Sequence, residues 1–160
     1  WEPMDTSIAA IQLAKAFPDR QVFVKLKASR PFLEKMIRPG FYDDFNAQFA
    51  EAPANLALVE GDAFDHILAS EYVLATYSTT LIEAIQMNRK GFFLDVFSPD
   101  AQIFFRDFPE ICKTSPQAVI VAVRQDASGE VPYPRDRLAG ILDYTDQTVY
   151  DLIKSEIESA

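Results

Sequence analysis

Tyr77-Ser78-Thr79-Thr80-Leu81-Ile82-Glu83 packs the most chemistry into the least chain. Three hydroxyl side chains stand in a row, and a carboxylate follows within a turn. The residues before them, Tyr72-Val73-Leu74-Ala75-Thr76, read as a strand. Those after, from Ser78 to Asn88, place Leu81, Ile82, Ala84, Ile85 and Met87 at helical spacing. The first N–H groups of a helix lack internal partners and carry partial positive charge. Ser78, Thr79 and Thr80 could therefore cradle a diphosphate or carboxylate. Glu83 could accept both hydroxyls of a ribose. The same residues also fit a capping box, in which Glu83 folds back onto the N–H of a Thr80 cap. Spacing alone leaves both readings open.

Other candidates are more isolated. Lys25-Leu26-Lys27-Ala28-Ser29 closes a strand that starts at Gln21. Lys27 there could neutralise a phosphate or stabilise a leaving diphosphate, or simply be a solvated strand end. Asp62, after Gly61, is an N-cap for a helix through Phe64, Ile67 and Leu68, or a group that contacts a bound base. His66 is the only histidine. It makes a poor metal site, because catalytic zinc takes three protein ligands. Cys112 has no Cys/His arrangement around it and reads as a small buried residue. The five glycines are too scattered for a phosphate loop. Neither a metal nor a cofactor is expected.

These groups need a scaffold. The chain has 160 residues, about half of them apolar, which suits one domain spanning 1–160. Asp5-Thr6-Ser7 should cap a helix from Ile8 to Phe17 that Pro18 closes. Strands follow at Gln21–Lys27, Asn55–Val59, Tyr72–Thr76 and Gly91–Val96, with a last short one at Glu110–Lys113. Arg30 to Gln48 suits one or two helices broken at Pro39-Gly40. A short helix is expected over Asp100–Phe105, one from Ser115 through Val123, a loop from Asp126 to Arg137, and a final helix from about Asp146 to Glu158. Phe92, Phe93, Phe97, Phe104 and Phe105 read as core or domain-interface residues. Short apolar strands alternating with helices are buried on both faces, as in a parallel sheet. The fold class is therefore α/β, a Rossmann-like doubly wound, mostly parallel sheet with helices on both faces. Ligands bind such sheets beyond the carboxyl ends of the strands.

The net charge of −9 argues against a nucleic-acid partner or a broad anionic-membrane surface. No apolar run approaches a transmembrane segment. A lone cysteine excludes an internal disulfide and suits a reducing, cytoplasmic compartment. The start at Trp1 reads as a processed, trimmed or excised segment.

Glu71 to Ala84, followed by Gly91-Phe92-Phe93-Leu94-Asp95, resembles the nucleotide-sugar-binding C-terminal half of GT-B glycosyltransferases. The similar families are transferases of bacterial capsule, sialic-acid and teichoic-acid polymers. The likeness extends more loosely to Gln21–Lys27, Asn55–Ser70 and Leu142–Asp146. It implies a UDP-, CMP- or CDP-linked sugar donor, with its phosphate on Ser78, Thr79 and Thr80 and its ribose on Glu83. The base would lie near Val59–Asp62, and an N-terminal acceptor-binding domain would be the partner. Several of these transferases carry a His-Pro pair where this chain has Lys27-Ala28. A lysine can stabilise a departing diphosphate but cannot act as a histidine acid or base. The resemblance thus implies a transferase whose isolated 160 residues turn over little. Two alternatives stand beside it: an enzyme of the UDP-GlcNAc 2-epimerase type, and a non-enzymatic Rossmann-like interaction domain.

Overall fold

The computed structural model describes residues 3–26, 29–76 and 78–142. Lys27 and the closing helix expected at 146–158 lie outside the described residues. The order is α1 (Pro3–Ala16), β1 (Val22–Lys25), α2 (Arg30–Met36), α3 (Phe41–Ala47), β2 (Leu56–Val59), α4 (Ala63–Ala69) and β3 (Tyr72–Ala75). It continues with α5 (Thr80–Gln86), β4 (Lys90–Leu94), a 3-10 turn (Phe104–Asp107), β5 (Cys112–Lys113), α6 (Pro116–Ser128) and α7 (Arg135–Leu142).

The protein is α/β, and every strand pairing among the described residues is parallel. β1 pairs with β2, with Val22 opposite Leu56 and Lys25 opposite Val59. β4 pairs with β3, Tyr72 opposite Lys90, and with β5, Phe93 opposite Cys112. The expected single sheet is therefore two sheets among the described residues, β1-β2 and β3-β4-β5. Side chains link the residue stretches that precede β1 and β3, and α1 to the end of β3. Arg20 pairs with Glu71 at 2.7 Å and stacks on the Tyr72 ring at their leading ends. The Thr6 and Thr76 hydroxyls meet at 3.5 Å beyond the other end of β3.

α1 joins the two halves. Ala9 belongs to the larger core, with Leu81, Ile85, Phe92, Phe93, Leu94 and Ile111. Its neighbour Ala10 belongs to the smaller one, with Val24, Phe41 and Phe45. Thr6 and Ser7 do not cap this helix, as the sequence suggested. They lie inside it, and Ser7 is buried and bonded to the Gln48 side chain. The Asn55 amide closes the far end by donating to the carbonyls of Ala14, Phe17 and Arg20.

Three further boundaries differ from expectation. The turn expected over Asp100–Phe105 forms at Phe104–Asp107, because Arg106 takes the carbonyls of Ser98, Pro99 and Ala101 as acceptors. α6 runs on to Ser128, past the expected start of the polar loop. α7 begins within that loop, directly after Pro134, whose fixed φ suits a helix start.

Gly91 shows how tightly α5 lies on β4. A Cβ there would stand 2.6 Å from Leu81 Cδ1 and 2.8 Å from Ile85 Cγ1. On the outer edge of β4, where β5 does not reach, the Tyr133 hydroxyl accepts from Gly91 N–H at 2.9 Å and donates to Gly91 C=O at 2.8 Å. Overpacking of this kind costs roughly 1–3 kcal/mol. Gly91→Ala should lower the unfolding free energy by about that much in urea titration.

The leading ends of β3 and β4 are tied by charge. Asp126 accepts from Lys90 at 2.6 Å, from the Tyr72 hydroxyl at 2.5 Å and from Tyr133 N–H at 2.9 Å. Burial alone would raise its carboxyl pKa, but these donors outweigh burial and hold it below the usual range. Burial and then the Asp126 carboxylate push the Tyr72 phenol up to about 12. A depressed carboxylate stabilises the fold fully above its unfolded pKa of about 4. That contribution is lost as pH falls through the lower folded value. The urea midpoint should accordingly drop below about pH 4. Asp126→Asn should be less stable at pH 7 and show a flatter acid limb.

Candidate functional site

The carboxyl ends of the strands carry two groups of candidate residues. The first is the Ser78 turn after β3. Thr79 is exposed, and Ser78, Thr80 and Glu83 are half-buried. The Ser78 hydroxyl accepts from Thr80 N–H at 3.1 Å and donates to the Thr80 hydroxyl at 2.6 Å. This is a short hydroxyl turn rather than the capping box that the spacing also allowed. Thr80 is the first helical residue, so Glu83 stands one position too far along to reach a cap N–H. The Glu83 carboxylate makes no hydrogen bond or ion pair among the described residues. Thr79, Thr80 and Glu83 thus keep polar atoms that a ligand could use, whereas Ser78 must give up a local bond to do so.

The second group surrounds a cleft of about 500 Å³ at the ends of β1 and β2. Lys25, Ser29, Arg30, Tyr42, Glu60 and Gly61 contribute to its walls. β1 delivers Lys25, whose ammonium donates to the Leu26 carbonyl at 2.7 Å. Arg30 starts α2, pairs with Asp43 at 2.6 Å and lies 5.0 Å over the Tyr42 ring. Glu60 and Gly61 form the turn after β2. Gly61 takes φ +94, a conformation that strains other residues. His66 reaches back from α4 to the Glu60 carbonyl at 2.8 Å and braces this turn. Burial and the adjacent Glu60 carboxylate raise the Tyr42 phenol above its usual value.

Asp62 caps α4 by accepting from Phe64 N–H at 2.9 Å, next to the cleft. No hydrogen bond or ion pair among the described residues joins the cleft to Ser78, Thr79, Thr80 or Glu83. Lys27, two residues beyond Lys25, lies outside the described residues. Arg30, Tyr42 and Glu60 were not singled out from sequence, because they come from separate elements and carry no local motif. The available signal was positional: the turns after β1 and β2 share the carboxyl edge.

The loop after β4 is locked rather than open. Arg106 clasps Asp95 with two bonds of 2.6 and 3.1 Å. That guanidinium holds the Asp95 carboxyl below the usual carboxylate range. Of the singled-out aromatics, Phe92, Phe93 and Phe105 are buried, while Phe104 is exposed. Among the described residues no group of His, Cys, Asp and Glu is placed to hold a metal. No helix among them is long and apolar enough to cross a membrane. Comparisons with protein families, curated proteins and solved structures find no match.

Loss of an N-cap costs about 1 kcal/mol. Asp62→Ala should destabilise the protein by about that amount in urea titration, with or without any ligand.

Proposed function

We propose that this chain binds a nucleotide-linked sugar at the carboxyl edge of its strands, as the donor half of a GT-B-type glycosyltransferase that builds a bacterial surface polysaccharide. The cleft carries this reading. Its volume falls within the roughly 300–1,000 Å³ typical of small-molecule sites. It also lies where the sequence resemblance puts the base, at the turn that follows Val59. In this reading the base rests against the Val59-Glu60-Gly61 backbone beside the Tyr42 ring. Ribose and diphosphate extend toward Glu83 and the Ser78–Thr80 turn. The Lys25 ammonium, with Lys27 further along, opposes the charge that builds on the leaving diphosphate.

The connectivity supports a doubly wound layer. All pairings among the described residues are parallel, and the exposed Arg20–Glu71 pair joins the residues just before β1 and β3. This suggests the order β2-β1-β3-β4-β5, with the chain reversing direction between β1 and β3. Ligands favour such reversal points.

One observation favours a second reading, a non-enzymatic interaction domain. Ser78 and Asp62 both spend their side chains on local helix starts. Calorimetric titration with UDP, CMP and CDP separates the two. Donor binding predicts that one of the three binds. A charge-assisted hydrogen bond is worth about 1.5–3 kcal/mol, so Lys25→Gln should weaken binding at least about tenfold. Glu83→Ala should weaken it as well. Folded protein that binds none of the three at millimolar concentration would leave the interaction domain.

A further inference from the structure

Three charged side chains line the cleft at the ends of β1 and β2: Lys25, Arg30 and Glu60. Both cations have partners of their own. The Lys25 ammonium donates to the Leu26 carbonyl at 2.7 Å, and Arg30 pairs with Asp43 at 2.6 Å while lying over the Tyr42 ring. Glu60 makes no ion pair among the described residues. Its carboxylate meets the Tyr42 hydroxyl, which also lines the cleft. The backbone of the same residue is held from the other side, where His66 Nε2 lies 2.8 Å from the Glu60 carbonyl. That nitrogen carries the ring proton, since a carbonyl can only accept. Two helices, α3 through Tyr42 and α4 through His66, thus position one acidic residue at the mouth of the site.

Cytosine and uracil differ where such a group would meet them. Cytosine presents an exocyclic amine, a donor, where uracil presents a carbonyl, an acceptor. The neighbouring ring nitrogen is an acceptor in cytosine and an N–H in uracil. An ionised carboxylate only accepts. Against cytosine, one Glu60 oxygen can take the amine while the other keeps the Tyr42 hydroxyl. Against uracil, the carboxylate faces an acceptor. Moving it to the ring N–H sets it between two carbonyls.

We propose that Glu60 makes the cleft select cytosine over uracil, so that the donor is a cytidine nucleotide. This rests on the donor-binding reading of the cleft and narrows it to one of the two pyrimidines. Glu60 is then the residue that determines base specificity. A site whose polar group is placed to pair with one ligand group rejects the analogue that lacks it, because the site's own group is left unsatisfied. Guanine also offers donors to a carboxylate, which makes GDP the competing outcome.

Calorimetric titration of the full chain with CDP, UDP and GDP tests it. A hydrogen bond to a charged group is worth roughly tenfold or more in affinity, so CDP should bind at least about tenfold more tightly than UDP. Glu60→Gln keeps the length of the side chain and adds a donor. It should weaken CDP and strengthen UDP, bringing the two to similar affinity. If Glu60 serves only to hold Tyr42 and its turn, the variant weakens both nucleotides together, and that result overturns the proposal. An undiminished preference for CDP in the variant overturns it as well. Equal binding of CDP and UDP by the unaltered protein, or tighter binding of UDP or GDP than of CDP, overturns it while leaving the donor reading in place. Folded protein that binds none of the three overturns both.

Discussion

The close approach of α1 to two separate parallel ladders is the constraint on which the rest depends. From Thr6 onward its buried positions are Ser7, Ala9, Ala10 and Ala14, all small. A larger side chain at Ala9 or Ala10 would push one half-sheet away, since these adjacent residues enter different cores. Among the described residues no ladder joins the two sheets, so α1 and a few side-chain contacts link them. Buried methyl groups contribute modestly one by one, but close packing makes each of them felt.

Charge and openness are divided between the two ends of the strands. At the leading ends of β3 and β4, Arg20, Glu71, Tyr72, Lys90 and Asp126 satisfy one another. The carboxyl ends keep unused polar atoms, at Glu83 and around the cleft. A sheet braced at one end can leave the other end available to a ligand. Arg106 and His66 extend that bracing to the turns flanking the open region, by holding the loop after Asp95 and the turn at Glu60.

Much of this was legible in the sequence. Short apolar strands marked β1 to β4, because strands buried on both faces admit few polar residues. Asp62 was legible as a cap because capping is local chemistry. Thr6 and Ser7 were misread for the converse reason: they look like caps, but their hydroxyls serve tertiary contacts with Thr76 and Gln48. The split into two sheets leaves no mark in the strands themselves, since it depends on their separation in space. The cleft was legible only as a neighbourhood. Its walls at Lys25, Arg30, Tyr42 and Glu60 come from segments that no motif connects.

The Tyr133 hydroxyl has a bearing on how the protein reaches its native state. It finishes the open flank of β4 from 42 residues away in the chain. Strand β4 can align with β3 early, across the short α5 crossover. Its flank at Gly91 stays unsatisfied until the polypeptide beyond α6 has been made and has folded back. Long-range closures of this kind raise contact order and slow folding. On the ribosome, the three-stranded half would mature only after this tyrosine has emerged. Until then the chain would carry an exposed strand edge, the feature most prone to pairing with the wrong neighbour.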